Sequence, residues 1–181
     1  NKTFYIAGYY GKYNVLLDSV KANTDGKVYF SKDSLYTPGI YMLVDNYRNM
    51  VTEFIMDKKQ EFSIAFKNEL NAVPVRVINS PVNEAFFTFN SLLKSTDQKH
   101  KQLLQKLASS KTHKDSTAIQ NEIWASQQKI EEFKNNYIKE FPNDVLSLSF
   151  NLSSSLDSYL NRISKTDNLQ TKGDTLTFIK N

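Results

Sequence analysis

Ten tyrosines, nineteen carboxylates and two histidines are the side chains of this 181-residue chain best suited to chemistry, and there is no cysteine. Without Cys the chain has no thiol nucleophile, no disulfide and no thiolate metal ligand. His100 and His113 would stand about four turns apart on one helix, and neither has a second ligand at metal spacing. His100 falls in register with an apolar stripe and reads as a packed residue; His113 reads as exposed in a polar link. Gly8 and Gly11 are too few for a phosphate-cradling loop, and no helix follows them directly. No serine has the flanking glycines of a nucleophile elbow.

Asp18, Glu53 and Asp57 lie in or beside strand-like stretches. Two carboxylates meeting in a cleft could hydrolyse a glycoside, whereas carboxylates at strand edges are ordinarily solvated. Tyr5, Tyr9, Tyr10, Tyr13, Tyr41 and Tyr47 could line a sugar- or peptide-binding face, each offering a flat ring with a polar tip. The same residues are also common simply because tyrosine suits strands. Trp124 could anchor a partner helix, with packing onto the β half the simpler use. Asn151-Leu152-Ser153 matches a glycosylation acceptor. No catalytic, cofactor-binding or metal residue is assigned, no cofactor is expected, and the chain is read as non-enzymatic.

The elements that position these residues divide at Ile78-Asn79-Ser80-Pro81-Val82-Asn83-Glu84. Before it apolar residues recur every second position; after it, every third or fourth. Ser80 suits an N-cap, Pro81 the first helical position and Glu84 the first turn. The spacing predicts seven strands over 3–10, 13–20, 27–31, 40–45, 50–56, 61–66 and 73–78. Thr24-Asp25-Gly26-Lys27 supplies a hairpin turn and Pro74 marks an edge. Such short strands and tight turns imply an antiparallel sandwich or partial barrel.

Beyond the hinge, Val82, Phe86, Phe89, Leu93, Leu103 and Leu107 share one helical face, with Thr96 and His100 as a polar gap. Ile119, Ile123, Ser126, Ile130, Phe133 and Tyr137 repeat the spacing after a link at 109–114, which gives a helical hairpin. From 145 to 163 two readings compete. Leu146, Leu148, Phe150 and Leu152 alternate like a strand, while Val145, Leu148, Leu152, Leu156, Tyr159 and Ile163 form a helical stripe. The longer run and the Asn143-Asp144 cap favour helix. The fold class is therefore α+β, an antiparallel β domain over 1–79 and a helical domain over 80–181.

Net charge is +4 and evenly spread, ten basic against eight acidic residues over 1–78 and thirteen against eleven over 79–181. No nucleic-acid partner is expected from that balance. Lys94, Lys99, Lys101, Lys106, Lys111 and Lys114 face only Asp97, the pattern of a solvated helix-hairpin tip. No apolar run approaches the roughly 18 residues of a membrane span. The chain starts at Asn1, without Met, as a processed or trimmed chain would. After a linker over 164–174, the apolar cluster Thr175-Leu176-Thr177-Phe178-Ile179 suggests a chain cut short of its natural end.

Several β-half stretches occur in a recognisable order: Gly8-Tyr9-Tyr10-Gly11, Leu16-Leu17-Asp18-Ser19, Asp25-Gly26-Lys27 with Phe30, and Pro38-Gly39-Ile40-Tyr41. Glu53-Phe54-Ile55, Gln60 with Phe62 and Ile64, and Asn79-Ser80-Pro81 with Asn83 and Phe86 complete the series. Over roughly residues 4–90 this resembles the N-terminal domain of unknown function that precedes a thioredoxin-like domain, of the alkyl-hydroperoxide-reductase/thiol-specific-antioxidant type, in exported Bacteroidetes proteins. The resemblance implies a cell-envelope protein, periplasmic or lipid-anchored, whose redox chemistry lies beyond residue 181. The family's Cys-x-x-Cys site has no counterpart here, so no catalytic residue carries over.

Two readings follow. The first is a non-catalytic accessory module that positions or dimerises a thioredoxin-like domain of the same protein, or presents its substrate. The second is a stand-alone module that binds an envelope glycan or peptide through its Tyr-rich strands. The helical stripes could also pair in a homodimer, since period-3.5 stripes suit coiled-coil seams, but they are short and broken by Thr96, His100 and Ser126, so packing onto the sheet is the simpler use.

Overall fold

A computed structural model describes residues 2–66, 74–110 and 112–166. Six strands precede three helices: β1 (Thr3–Tyr10), β2 (Tyr13–Lys21), β3 (Gly39–Val44), β4 (Met50–Met56), β5 (Ser63–Ala65), β6 (Arg76–Ile78), α1 (Pro81–Ser109), α2 (His113–Glu140) and α3 (Val145–Thr166). The first four strands form one antiparallel sheet in the order β2-β1-β3-β4; β5 and β6 pair separately. The α+β class is as expected. The sheet is open, however, with no barrel closure, and among the described residues six strands form instead of seven.

The strand that fails is 27–31. Its turn does form: the Asn23 amide donates to the Lys27 carbonyl at 2.9 Å, and Gly26 takes φ +74°. The chain does not then return along β2, whose outer edge carries no strand among the described residues, and β3 pairs with β1 on the far side. Residues 22–38 instead lead from β2 to β3, on opposite sides of β1, and Phe30 and Tyr36 pack against the core on the way. Gln60 fixes this crossing, accepting from the Tyr36 amide at 2.9 Å and donating to its carbonyl at 2.7 Å. The strands expected over 61–66 and 73–78 contract to three residues each; Val73 lies outside the described residues.

One apolar cluster joins sheet and helices. Ile6, Tyr41 and Phe54 meet Val82, Phe86 and Phe89 of α1, Tyr137 of α2, and Leu146 and Phe150 of α3. At its centre sits a polar residue. Asn83, fully buried in the first turn of α1, accepts from the Ile55 amide at 2.7 Å and donates to the Ile55 carbonyl at 2.8 Å. A side-chain amide thus does at Ile55, on the outer edge of β4, what a fifth strand would do there. Ser80 occupies the N-cap position, but its hydroxyl makes no cap bond; it accepts from Asn83 Nδ2 instead. The expected Ser80 cap is replaced by a brace on the buried asparagine. Pro81 and Glu84 stand in the first turn as expected.

The hairpin stripe of α2 turns inward as expected, with Ser126 and Tyr137 buried. Thr112 caps α2 by accepting from the Asp115 amide at 3.1 Å. The reading of 145 onward as helix holds, capped by Asp144, whose carboxylate accepts from the Ser147 amide at 2.8 Å. Its orientation is not the expected one. Leu146, Ser147 and Phe150 face the core, while Leu148, Leu152, Leu156 and Tyr159 of the expected stripe are exposed; the side chain of Ile163 lies outside those described. The helix also runs to Thr166, over the first residues read as linker; residues 167–181, with the apolar cluster at 175–179, lie outside the described residues.

Candidate functional site

The tyrosines separate by strand register. In β1, Tyr5, Ala7 and Tyr9 point to one face and Ile6, Gly8 and Tyr10 to the other. Tyr41, opposite Gly8, is buried in the core and hydrogen-bonds the Thr37 carbonyl at 2.6 Å. Burial raises its pKa. Pairing of β1 with β3 stops at Gly8, yet its pairing with β2 continues to Tyr10 opposite Tyr13. The end of the hairpin is therefore a two-stranded ribbon, closed by Gly11 at φ +58°, the left-handed region that glycine tolerates best.

On the Ile6 side of this ribbon, Tyr10, Tyr13, Val15 and Leu17 form a strip, exposed by 75, 63, 43 and 46%. Gly8 lets Leu17 lie close over β1, since a Cβ there would lie 3.0 Å from the Leu17 side chain. A bulge between Ile6 and Ala7 sets Asp18 opposite Ile6 and Leu16 opposite Ala7. The extra residue turns both Leu17 and Asp18 to the Ile6 side, so the expected simple alternation along β2 breaks at that point. Lys12 at the turn lies 5.3 Å from the centre of the Tyr13 ring. β2 is the sheet edge, and from Tyr13 to Leu17 it carries no charge.

The opposite face has a small cluster of Tyr5, Ala7, Met42 and Val44, roofed by its own long side chains. Tyr9 donates from β1 to Glu53 on β4, above Met42, the residue paired with both Ala7 and Glu53. The Arg48 guanidinium lies 5.0 Å from the centre of the Tyr5 ring. Arg48 takes φ +68° in the turn that Asp45 holds, and that left-handed backbone costs about 1 kcal/mol in a residue with a Cβ. Nothing in the sequence marks Arg48 for this position. Tyr47, in the same turn, is exposed.

The carboxylates do not converge. Asp18 lies on the Ile6 side and accepts from the Tyr36 hydroxyl at 2.8 Å; Glu53 lies on the other face. Asp57 enters through its carbonyl, which accepts from Gln60 at 2.9 Å. His100 is half-buried and His113 exposed, and among the described residues no group of three His, Asp or Glu could hold a metal ion. Two lysines of the hairpin tip are paired, Lys99 with Glu122 and Lys101 with Asp97; Lys111 lies outside the described residues. Trp124 is not packed onto the β half but 63% exposed, one residue off the inward stripe. Asn151 and Ser153 are exposed on α3. Among the described residues no helix is long and apolar enough to cross a membrane.

Three tyrosines donate to carboxylates, Tyr9 to Glu53, Tyr36 to Asp18 and Tyr137 to Asp144, and the first two make a pH prediction. The hydrogen bond to Glu53 holds the Tyr9 phenol up at about 12, and burial followed by the bond to Asp18 holds Tyr36 up at about 12. An unfolded tyrosine ionises near 10, so the folded chain retains these protons above that pH. Their contribution is therefore complete below about pH 10 and lost as pH rises through about 12. Denaturant midpoints followed between those values should fall. The decline should become shallower in a Tyr9→Phe, Tyr36→Phe double variant, the remainder coming from Tyr137 and Tyr41, whose phenols burial also holds up; an equal decline in the variant would assign it to other groups.

No family model, no curated protein and no solved structure matches the chain.

Proposed function

We propose that the chain is a non-catalytic recognition module that holds an extended polypeptide along β2. The supporting observation is the uncharged Tyr13–Leu17 part of the edge strand, flanked by the exposed strip of Tyr10, Tyr13, Val15 and Leu17. An added strand gains main-chain hydrogen bonds at the free edge, while its alternate side chains meet the strip. A peptide suits this surface better than a glycan, because the tyrosines there are flanked by aliphatic side chains. On the sequence resemblance, the setting is the N-terminal part of an exported thioredoxin-like protein at the cell envelope. An unfolded segment is the kind of substrate such a redox domain would need presented.

The test uses a reduced, carboxymethylated, permanently unfolded polypeptide as probe. Binding should weaken at least roughly tenfold in Tyr13→Lys or Val15→Lys, because charge on an edge strand opposes pairing, with an unchanged melting curve. No binding by the parent chain, or equal binding by the variants, would overturn the reading. The setting has its own check: coding sequence past Asn181 should contain a Cys-x-x-Cys in a thioredoxin-like pattern.

A further inference from the structure

The outward face of α3 goes beyond that reading and stands independently of it. Phe150 is the last buried residue of the helix among the described side chains, and every residue from Asn151 to Leu160 is exposed. Leu148, Leu152, Leu156 and Leu160 are exposed by 58, 72, 55 and 53%. They stand four residues apart and so form a single ridge along the helix. The core has already taken its side of α3 through Leu146 and Phe150, and among the described residues nothing covers the ridge.

We infer that the ridge is covered by the same ridge of a second copy of the chain. Packing of four-residue ridges into each other's grooves needs that row on both helices, and a two-fold pair supplies it without a separate partner. Charge points the same way. From Val145 to Leu160 the only ionisable side chains are Asp157 and Tyr159, so two copies approach with little repulsion, and the surface offers no charge pattern for a different protein to complement. A membrane surface fits less well, because interfacial helices are rich in Lys and Arg along the polar face, where this one has Asn151, Ser153, Ser154, Ser155 and Ser158 beside the ridge and basic residues, Arg162 and Lys165, only in its last turns. Four leucines at least half exposed on each copy bury on the order of 1,000 Å² in total, the lower limit for a specific interface. The expected association is thus weak and concentration-dependent.

Sedimentation velocity of the full chain over a range of concentrations tests this. The mass should rise from 20.9 kDa towards twice that value. In a Leu152→Glu, Leu156→Glu double variant the association midpoint should move up by roughly a hundredfold, because each carboxylate must lose its water to enter the ridge, while circular dichroism and melting stay unchanged. The absence of cysteine permits a second measurement. Leu156→Cys should oxidise to a covalent dimer, and Ser154→Cys, on the opposite side of the helix, should not. A parent chain that stays monomeric at high concentration overturns the inference, whether the ridge is then covered by residues 167–181 or by another protein. A dimer that survives the double substitution overturns it as well, and places the interface elsewhere.

Discussion

Asn83→Ala is expected to lower stability by about 3–5 kcal/mol, among the largest effects of any single polar substitution in the chain. The residue is fully buried, and its amide serves both the N–H and the C=O of Ile55. Alanine leaves both groups facing apolar side chains without water, at about 1–3 kcal/mol each. It also frees the Ser80 hydroxyl from its bond to Asn83. The better helix propensity of alanine returns only about 0.5 kcal/mol. Asn83→Asp is the sharper companion, because it keeps shape and size but turns a donor into a charged acceptor aimed at the Ile55 carbonyl. It should cost at least as much as Asn83→Ala at neutral pH and recover part of that loss in acid, where a protonated carboxyl can donate again. Chemical denaturation measures both. A loss below about 1 kcal/mol for Asn83→Ala would mean that Ile55 finds another partner and that the edge of β4 does not depend on this side chain.

Phe150→Ala should cost about 3–5 kcal/mol as well, by a different mechanism. The ring is 4% exposed, 4.6 Å centre to centre from Phe89 in an edge-to-face contact and 6.1 Å from Tyr137. It therefore ties three helices together at one point, and its removal leaves a cavity that the short side chains nearby, Ser147 among them, cannot fill. The damage should be local before it is global. Amide exchange over 145–150 should accelerate well before that of β1 or β3, because α3 has no buried apolar side chain among those described beyond Phe150. Phe150→Leu, which keeps most of the volume, should cost less than half as much. Uniform acceleration across sheet and helices would show instead that α3 is not separately releasable.

The helices were legible because their stripes are long. Val82, Phe86 and Phe89 are buried as their spacing requires, and Ser126 and Tyr137 likewise. For α3 the period identified the helix but not its buried side. Leu146 and Phe150 and the competing Leu148–Leu152–Leu156 row are equally apolar, and only the position of Phe89 and Tyr137 in space decides between them. The strand of 27–31 failed for a comparable reason. A turn sequence fixes the local reversal but does not reveal that β3 has taken the far side of β1. Asn83 left a faint trace, a polar residue three and four positions before Phe86 and Phe87 on an inward face. That pattern marks a buried amide, yet what it binds depends on a strand edge 28 residues away. The exposed ribbon was half visible, since the tyrosines were evident but the end of β3 pairing at Gly8 was not.

The bond between Asn83 and Ile55 also orders events during synthesis. All four sheet strands have been made once Met56 is added, but β4 acquires its outer partner only after a further stretch of chain that ends in the first turn of α1. At usual elongation rates that interval is on the order of a second or more. During it the emerging sheet has two bare edges, and either can pair with a neighbouring nascent chain. The first turn of α1 occupies one of them at Ile55. Ribosome-bound chains in which Asn83 has not yet emerged should therefore be the aggregation-prone ones, and chains long enough for the first turn of α1 to have left the ribosome less so.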